Sequence, residues 1–451
     1  MKLKSRNIAW CMGLAIANIL HVSAQAPNDA QTIGNLELTL DKAITIALAE
    51  NPTIKVAEKD IELKQVAHSE AWQTLLPSLG INATLQHTIL AATMNLGGNS
   101  FKMGRDNTNT ATGTATLNLP LFAPTVYQNM KLTKEDIKLA QEKSRSSKLD
   151  LINQVTKAFY ATILAQDSYK VMEKSYNTAK ENYDIVAAKY EVGKVSEYDK
   201  ISAEVQMRSM SSSLVSAQTG LTLAALRLRV LMGVTENISI TIDDSLKNYE
   251  NALTLPGAEN AEEQLANNSS LRQIDMSISL LERSRKLLKT NFMPTLSVQL
   301  SGQYQSLYNP DWNVFGYNYS PSSSLMFTLS IPIYQASNWT KLKTNKLQIA
   351  QLQDQRENTR RQLNMAVETY RQNMASTIAS VTSNAEAVKQ AKKAVDISSK
   401  RYEVGRGTIL ELNQSETAET QAELTYVQSI YDYLTNKADL DYTLGRENYL
   451  K

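Results

Sequence analysis

Cysteine and histidine are nearly absent. One Cys and three His in 451 residues leave no material for a disulfide framework, a Cys/His nucleophile or an ordinary His/Cys metal centre. Glycine (16) and proline (10) stand at about half their usual shares of ~7% and ~5%, so turns are scarce and long uninterrupted elements are expected. Past the first 24 residues no uncharged apolar run reaches the ~18 residues that a membrane-crossing helix needs. A chain of this kind can enter a bilayer only as a closed barrel. No Gly-rich phosphate loop or Ser/His/Asp set is visible, and His68 and His87 lack the spacing of metal ligands. These absences disfavour an enzyme, and no cofactor or metal is expected.

The first 24 residues read as a secretory signal: Lys2, Lys4 and Arg6, an apolar stretch from Ile8 to Leu20, then Val22-Ser23-Ala24 as a small-residue cleavage site. Cys11 lies inside the apolar stretch, a poor place for lipidation. The formal charge of +2 owes its sign to this segment, which carries three of the 47 basic residues and none of the 45 acids, so the mature chain is at −1. Without a clustered excess of Lys/Arg, nucleic acid is not a partner. The exported chain is cysteine-free and must be stable without disulfides.

What the sequence does have is a long internal repeat. YEVGK at Tyr190 to Lys194 returns as YEVGR at Tyr402 to Arg406, 212 residues later. The same offset relates Asn118-Leu119-Pro120-Leu121 to Ser330-Ile331-Pro332-Ile333, and Met232-Gly233 to Leu444-Gly445. Upstream, Leu76-Pro77-Ser78-Leu79 matches Met293-Pro294-Thr295-Leu296 at offset 217, which places five residues of insertion between the matched prolines. The chain is one unit written twice, residues 25–236 and 261–451, joined by a polar connector at 237–260.

Each unit reads as helix, strand, loop, strand, long helix, turn, long helix. Asn51-Pro52 has the form of an N-cap followed by a first-turn proline, starting a helix that runs to about Thr74. Strands are expected at 78–88, 111–121, 295–305 and 322–333, where Leu79, Ile81, Ala83 and Leu85 alternate with Gly80, Asn82, Thr84 and Gln86 in a period of two. Long helices are expected at 122–190, 196–232, 334–402 and 408–445. Tyr169, Met172, Tyr176, Ala179, Tyr183, Val186 and Tyr190 step by three and four, as do Leu214, Ala217, Leu221, Ala224, Leu228 and Leu231, giving heptad seams. Ten strand residues tilted near ~45° span roughly 24 Å, close to the ~25 Å apolar band of an outer-membrane barrel. Four strands cannot close such a barrel, because bacterial ones start at about eight, so several chains must contribute. Aromatic residues from Tyr304 to Tyr319 crowd the second interstrand loop and suit an interfacial girdle.

Taken in order, these residues resemble the TolC-like family of outer-membrane efflux and secretion channels. The carriers are LTLDKAITIALAENP at Leu38 to Pro52, the LP and MP helix-to-strand junctions, the LP and IP strand-to-helix junctions, and the two Tyr-x-x-Gly turns. The resemblance implies an α+β membrane protein of the outer membrane and periplasm. Two tandem strand-hairpin and helical-hairpin repeats per chain would assemble as a homotrimer, with a twelve-stranded β-barrel and a twelve-helix α-barrel. It implies a passive duct that meets outer-membrane lipid, recruited by a periplasmic adaptor (membrane fusion protein) and an inner-membrane RND or ABC transporter. A periplasmic coiled-coil protein without a pore is the competing reading.

The helix reversals are the informative places. By resemblance, Val192, Gly193, Lys194 and Val195, with Val404, Gly405, Arg406 and Gly407, are adaptor-binding candidates, and Gly193 and Gly405 are also expected to end their helices left-handed. Gate candidates by resemblance are Asp199, Tyr402, Arg406 and Glu411, with an Asp199–Tyr402 hydrogen bond as one closing link. Gln414 stands where the family can have a second aperture acid, and Gly407 where it can have a gate arginine, with Arg406 adjacent. Asp199 and Glu411 can equally be solvated helix-start carboxylates favoured by the dipole.

Overall fold

The computed structural model describes residues 36–97, 99–234, 240–255 and 265–446. The signal segment at 1–24 and parts of the 237–260 connector lie outside the described residues.

Chain order runs β1 (Leu36–Glu37), α1 (Leu40–Glu50), α2 (Pro52–Gln73), β2 (Ser78–Thr88), β3 (Ala92–Leu96), β4 (Asn99–Met103), β5 (Thr108–Phe122), α3 (Pro124–Glu191) and α4 (Glu197–Leu231). The second unit continues with β6 (Ile240–Thr241), α5 (Ser269–Lys289), β7 (Thr295–Asn309), β8 (Ser320–Ser330), α6 (Ala336–Glu403) and α7 (Ile409–Leu444). Helices α3 and α6 are each 68 residues long, or about 100 Å. One antiparallel sheet carries β2-β5-β7-β8, so β5 and β7 join the two units and β2 and β8 are its open edges.

Of the junction prolines, Pro120 lies in its strand as expected and Pro332 lies beyond its own. Pro120 lies within β5 opposite Ser297, beside an irregularity in the ladder, where a residue without an N–H is tolerated. Pro124 occupies the first turn of α3 instead, so the helix starts two residues later than expected. At Pro332 the strand has already ended: β7 begins at Thr295, whose partner is Ser330, leaving Ile331 nothing to pair with. The β3–β4 hairpin between the first two barrel strands and the parallel β1–β6 pair were not expected. Neither has the length to leave a periodic trace.

Apolar rows line up across the sheet. Leu79, Ile81, Ala83 and Leu85 face across to Leu117, Ala115, Gly113 and Ala111, and these to Leu300, Gly302, Tyr304 and Ser306. Most of this face is exposed in the single chain, Leu79 at 73% and Ile81 at 78%. The main core lies instead at the middle of the helical part. There Ile44 and Ala47 of α1, Ile54 of α2, Val155, Phe159 and Ile163 of α3, and Val427, Ile430 and Tyr433 of α7 pack with Leu228 and Leu246.

Both units close this belt in the same way. Asn51 caps α2 by accepting from Thr53 N at 2.8 Å while its Nδ2 donates to Leu231 O at 2.7 Å. Asn268 caps α5 by accepting from Leu271 N at 3.1 Å while its Nδ2 donates to Thr443 O at 2.7 Å. One side chain thus satisfies the start of a short helix and the end of a long one. Gly233 (φ +72°) and Gly445 (φ +64°) end the long helices against these caps. A Cβ on Gly233 would lie 2.8 Å from the Glu50 backbone, and one on Gly445 would collide with the Asn267 carbonyl.

Candidate functional site

At the far end from the sheet, each long helix reverses through the same local chemistry. Gly193 (φ +69°) and Gly405 (φ +71°) are left-handed. Gly193 N donates to Tyr190 O and Lys194 N to Lys189 O, both at 2.9 Å; Gly405 N donates to Tyr402 O at 3.1 Å and Arg406 N to Arg401 O at 2.8 Å. This is a Schellman closure at both tips. Val192 and Val404 are left exposed at 67% and 69%. Gly407 packs closely on the helix end, since a Cβ there would meet Arg401 Cβ at 3.1 Å.

The returning helices start with capping boxes. Ser196 Oγ accepts from Asp199 N at 3.2 Å and the Asp199 carboxylate accepts from Ser196 N at 3.2 Å; Thr408 Oγ1 accepts from Glu411 N at 3.2 Å and Glu411 Oε2 accepts from Thr408 N at 3.5 Å. Arg401 lies 3.6 Å from Glu411 and also donates to Arg406 O at 3.3 Å. Both acids therefore have the helix-start role, and Arg406 stands exposed at its tip.

Tyr402 is held between units. Its ring packs on a small cluster of Val186, Ala203, Ile409 and Leu412, together with Tyr183 and Val195, and Lys189 Nζ lies 5.1 Å from its centroid. The hydroxyl is buried and has no hydrogen-bond partner within the described chain. The expected bond to Asp199 is not formed, because that carboxylate is committed to Ser196 N and Oγ. Asp199 is still close enough to act through its charge: burial first, then Asp199, pushes the Tyr402 hydroxyl above its usual range.

Two features were missed from sequence. One is a groove of about 660 Å³ between α4 and α7, beside the tips, with Tyr198, Ile201 and Val205 facing Leu410, Gln414 and Gln421. Tyr198, Ile201 and Val205 are 66%, 52% and 61% exposed. Gln206 Nε2 donating to Thr417 Oγ1 at 3.2 Å and Asn413 Nδ2 donating to Ser202 Oγ at 3.4 Å tie its floor. The spacing of three and four from Tyr198 to Val205 was the available signal; it marks a second apolar face on a helix whose first face already packs.

The other is a polar seam between α3 and α7. Lys174 reaches Glu419 (2.8 Å) and Glu423 (3.4 Å), Lys392 of α6 reaches Glu423 (3.1 Å), and Ser175 and Thr420 share a hydrogen bond at 2.7 Å. Glu416 has only Asn182 Nδ2, donating at 2.6 Å. Burial, opposed by that hydrogen bond and reinforced by the charge of Glu419, pushes its carboxyl up to about 6.

Among the described residues no cluster of His, Cys, Asp or Glu could hold a metal ion, and no helix is long and apolar enough to cross a membrane. His68 and His87 have Thr133 and Asn109 as partners, each at 2.8 Å.

Comparison with known proteins agrees with this geometry. The family model for outer membrane efflux proteins matches residues 43–234 and 260–446, one match per unit. The outer membrane protein TolC of Salmonella enteritidis is 22% identical over 419 residues, 89% of this chain and 81% of that protein. Among solved structures, CusC superposes with a TM-score of 0.73 at 16% identity, covering 91% of this chain and 93% of that one. The CmeC outer membrane channel of Campylobacter jejuni superposes with a TM-score of 0.70 at 16% identity, covering 92% and 90%.

Proposed function

Since the chain belongs to the outer membrane efflux protein family, a non-enzymatic family of outer-membrane channels, we propose that it is the passive exit duct of a tripartite efflux pump or type I secretion system. In this reading three copies close the barrel. A periplasmic adaptor docks at the helical tips, and an inner-membrane RND or ABC transporter supplies the cargo.

The observation that carries the reading is the four-stranded sheet with an exposed apolar face and two open edges, continuous with helices of about 100 Å. A coiled-coil stalk without a pore has no use for such a sheet, whose unpaired edges are untenable in lipid. Docking is supported by the two alike tips, Val192 to Val195 and Val404 to Gly407, and by the adjoining apolar groove, which suits an amphipathic helix. For the gate, Tyr402 joins the two helical hairpins of one chain, its ring packed on Val186, Ala203, Ile409 and Leu412 and its hydroxyl buried without a partner among the described residues, so its share in closure is packing between the hairpins. Asp199, Glu411 and Arg406 set the charge around it.

Planar-bilayer recording of the purified protein tests the duct, with stepwise conductance expected. Intact strands and inserted protein that pass no current would favour the stalk. A photoreactive residue at Ile201 or Leu410 should crosslink a periplasmic adaptor; labelling only at surfaces remote from the tips would move the docking site.

A further inference from the structure

The outward, apolar face of the sheet is not uniformly covered. Where β2, β5 and β7 run side by side, Ala83 pairs with Gly113, Leu85 with Ala111, and Gly113 with Tyr304, so the row across the middle strand is built of the smallest side chains. The result is a hollow of about 620 Å³ with Ala83, Leu85, Ala111 and Gly113 as floor and Tyr304, Val314 and Tyr319 as walls. No charged side chain lines it.

The walls are fixed. Val314 and Tyr319 come from the β7–β8 loop, which is laced to the sheet: Trp312 stacks on His87 at 5.0 Å, Asn109 Nδ2 donates to Asp311 O, Tyr317 Oη donates to Asp311 O, and Tyr319 Oη donates to Val314 O at 2.8 Å. Tyr308, non-glycine at φ +59°, turns the strand into this loop. Asn109 and Ser306, 1% and 2% exposed, put buried polar groups at the outer end of the strands, above an apolar floor. Phe315 projects from the loop fully exposed.

We propose that this hollow binds one acyl chain of an outer-leaflet membrane lipid, holding it more firmly than the rest of the barrel wall. The occupant follows from position. Ala111 and Gly113 lie on β5, paired on both edges within one chain, while Ala83 and Leu85 lie on the open edge strand β2, where pairing sets a strand of a second copy beside the floor and not over it. An outward apolar face in the outer membrane meets hydrocarbon, and the lining, which besides its apolar side chains holds Thr84, Thr112 and two tyrosines, offers no charge to pair with a headgroup phosphate or amine. Small floor residues and aromatic walls give an extended chain contact on three sides, where a flat wall offers one. The proposal depends on membrane insertion and not on which pump the channel serves.

The test uses full-length protein in vesicles of phosphatidylethanolamine and phosphatidylglycerol with a trace of phosphatidylcholine bearing a diazirine within one acyl chain. After photolysis, mass spectrometry should place label on the peptides carrying Ala111–Gly113 and Val314–Tyr319 several-fold above other outward strand positions. Gly113→Leu fills the hollow without strain, since a Cβ there meets nothing within 4 Å and the backbone is not left-handed. It should cut that labelling several-fold, while Ser323→Leu, in another outward row, should not. Should Gly113→Leu fail to assemble, Tyr319→Ala removes a wall and must also lower labelling. Uniform label along the wall, or undiminished label in both hollow variants, overturns the proposal. Label on the peptide carrying Phe327, on the same face, with none on the hollow peptides overturns it as well.

Discussion

Single residues at the tips separate folding from function. Gly193 and Gly405 are left-handed with open space where a Cβ would go, so valine there costs only backbone strain, about 1–2 kcal/mol, with no clash. Gly193→Val and Gly405→Val should assemble in near-normal yield yet lose adaptor crosslinking and export; unchanged crosslinking and export would reduce the tips to plain turns. Glu411→Gln retains a capping-box partner for Thr408. It should keep assembly stability while lowering cation preference, read from reversal potentials in asymmetric salt; unchanged selectivity would place Glu411 away from the aperture. Tyr402→Phe removes a buried hydroxyl that has no partner among the described residues and keeps the packed ring, so subunit stability should hold or rise and open-channel conductance should stay level; a rise in conductance would show that the hydroxyl finds a partner when the hairpins close.

Glu416 contributes to the pH dependence in the same direction as Asp441 and Asp136, whose carboxyls burial also pushes up. Lys174, Ser175 and Asn182 of α3, Gln206 and Met210 of α4, and Glu419 and Glu423 of α7 surround Glu416, with Lys392 of α6 next to Glu423. Its carboxyl sits at about 6 in the packed seam against an ordinary 4.5, so the protonated form favours packing. The stabilisation is complete below about 4.5 and is lost as pH rises through about 6, a difference of at most about 2 kcal/mol per chain. Thermal stability of the helical part should fall across that window in the native chain and fall less in Glu416→Gln, Asp441 and Asp136 remaining; an equal fall in both would show that water reaches the Glu416 carboxylate.

At the scale of elements, the repeat predicts an interface that one chain does not contain. Adding 212 to β5 and subtracting 217 from β7 converts the observed β5–β7 register into the register of β8 on β2 of a neighbouring copy. Leu117↔Leu300 becomes Leu329 opposite Ala83 of the partner subunit, Thr328 faces Thr84 of the partner subunit, and Phe327 faces Leu85 of the partner subunit. Adjacent pairs alternate between wide and narrow, so one of the last two double-cysteine combinations must suit a disulfide. Thr328→Cys with Thr84→Cys, and Phe327→Cys with Leu85→Cys, should between them yield interchain bonds on mild oxidation. Thr328→Cys with Leu85→Cys places the thiols on opposite faces and should not. Bonds in the third combination alone would mean a shifted register.

How far the elements could be read in advance follows from their periodicity. The heptad seams of α3 and α4 repeat over several turns, and the strand alternation is clean, so both leave long records; Val186 and Leu228 are buried at seam positions. Pro332 misled because a proline looks alike at the end of a strand and just past it, and only the paired strand distinguishes them. At the tips the turn glycines were legible because φ > 0 selects glycine. The uses of Asp199 and Tyr402 were not, because a carboxylate three residues after a serine can cap its own helix or reach across, and that choice is made by packing.

For the whole molecule, the mismatch between two offsets has a physical meaning. The five extra residues of the first unit lie between its strands, where the β3–β4 hairpin stands in place of the aromatic loop of the second. The periplasmic tips are alike in the two units, while the outer loops are not. A closed assembly should therefore behave as threefold outside and nearly sixfold at the tips. It should also migrate in mild detergent at three times the chain mass; a monomeric mass with intact strands would contradict it.

The asparagine clamps at the belt have a mechanical consequence. Helix α4 is held at Leu231 by Asn51 and α7 near Thr443 by Asn268, while their tip ends are joined to each other and to α3 through Val186, Ala203, Ile409 and Leu412. Each is a lever of about 50 Å with its fulcrum at the clamp. One degree of tilt at the fulcrum displaces the tip end by about 1 Å, so a few degrees shared among several arms open or shut a passage by many ångströms while the belt core barely deforms. Force applied at the tips reaches the clamps magnified by the arm, so opening must strain the Asn51, Asn268, Gly233 and Gly445 junctions as well as part the tip cluster and the α3–α7 seam.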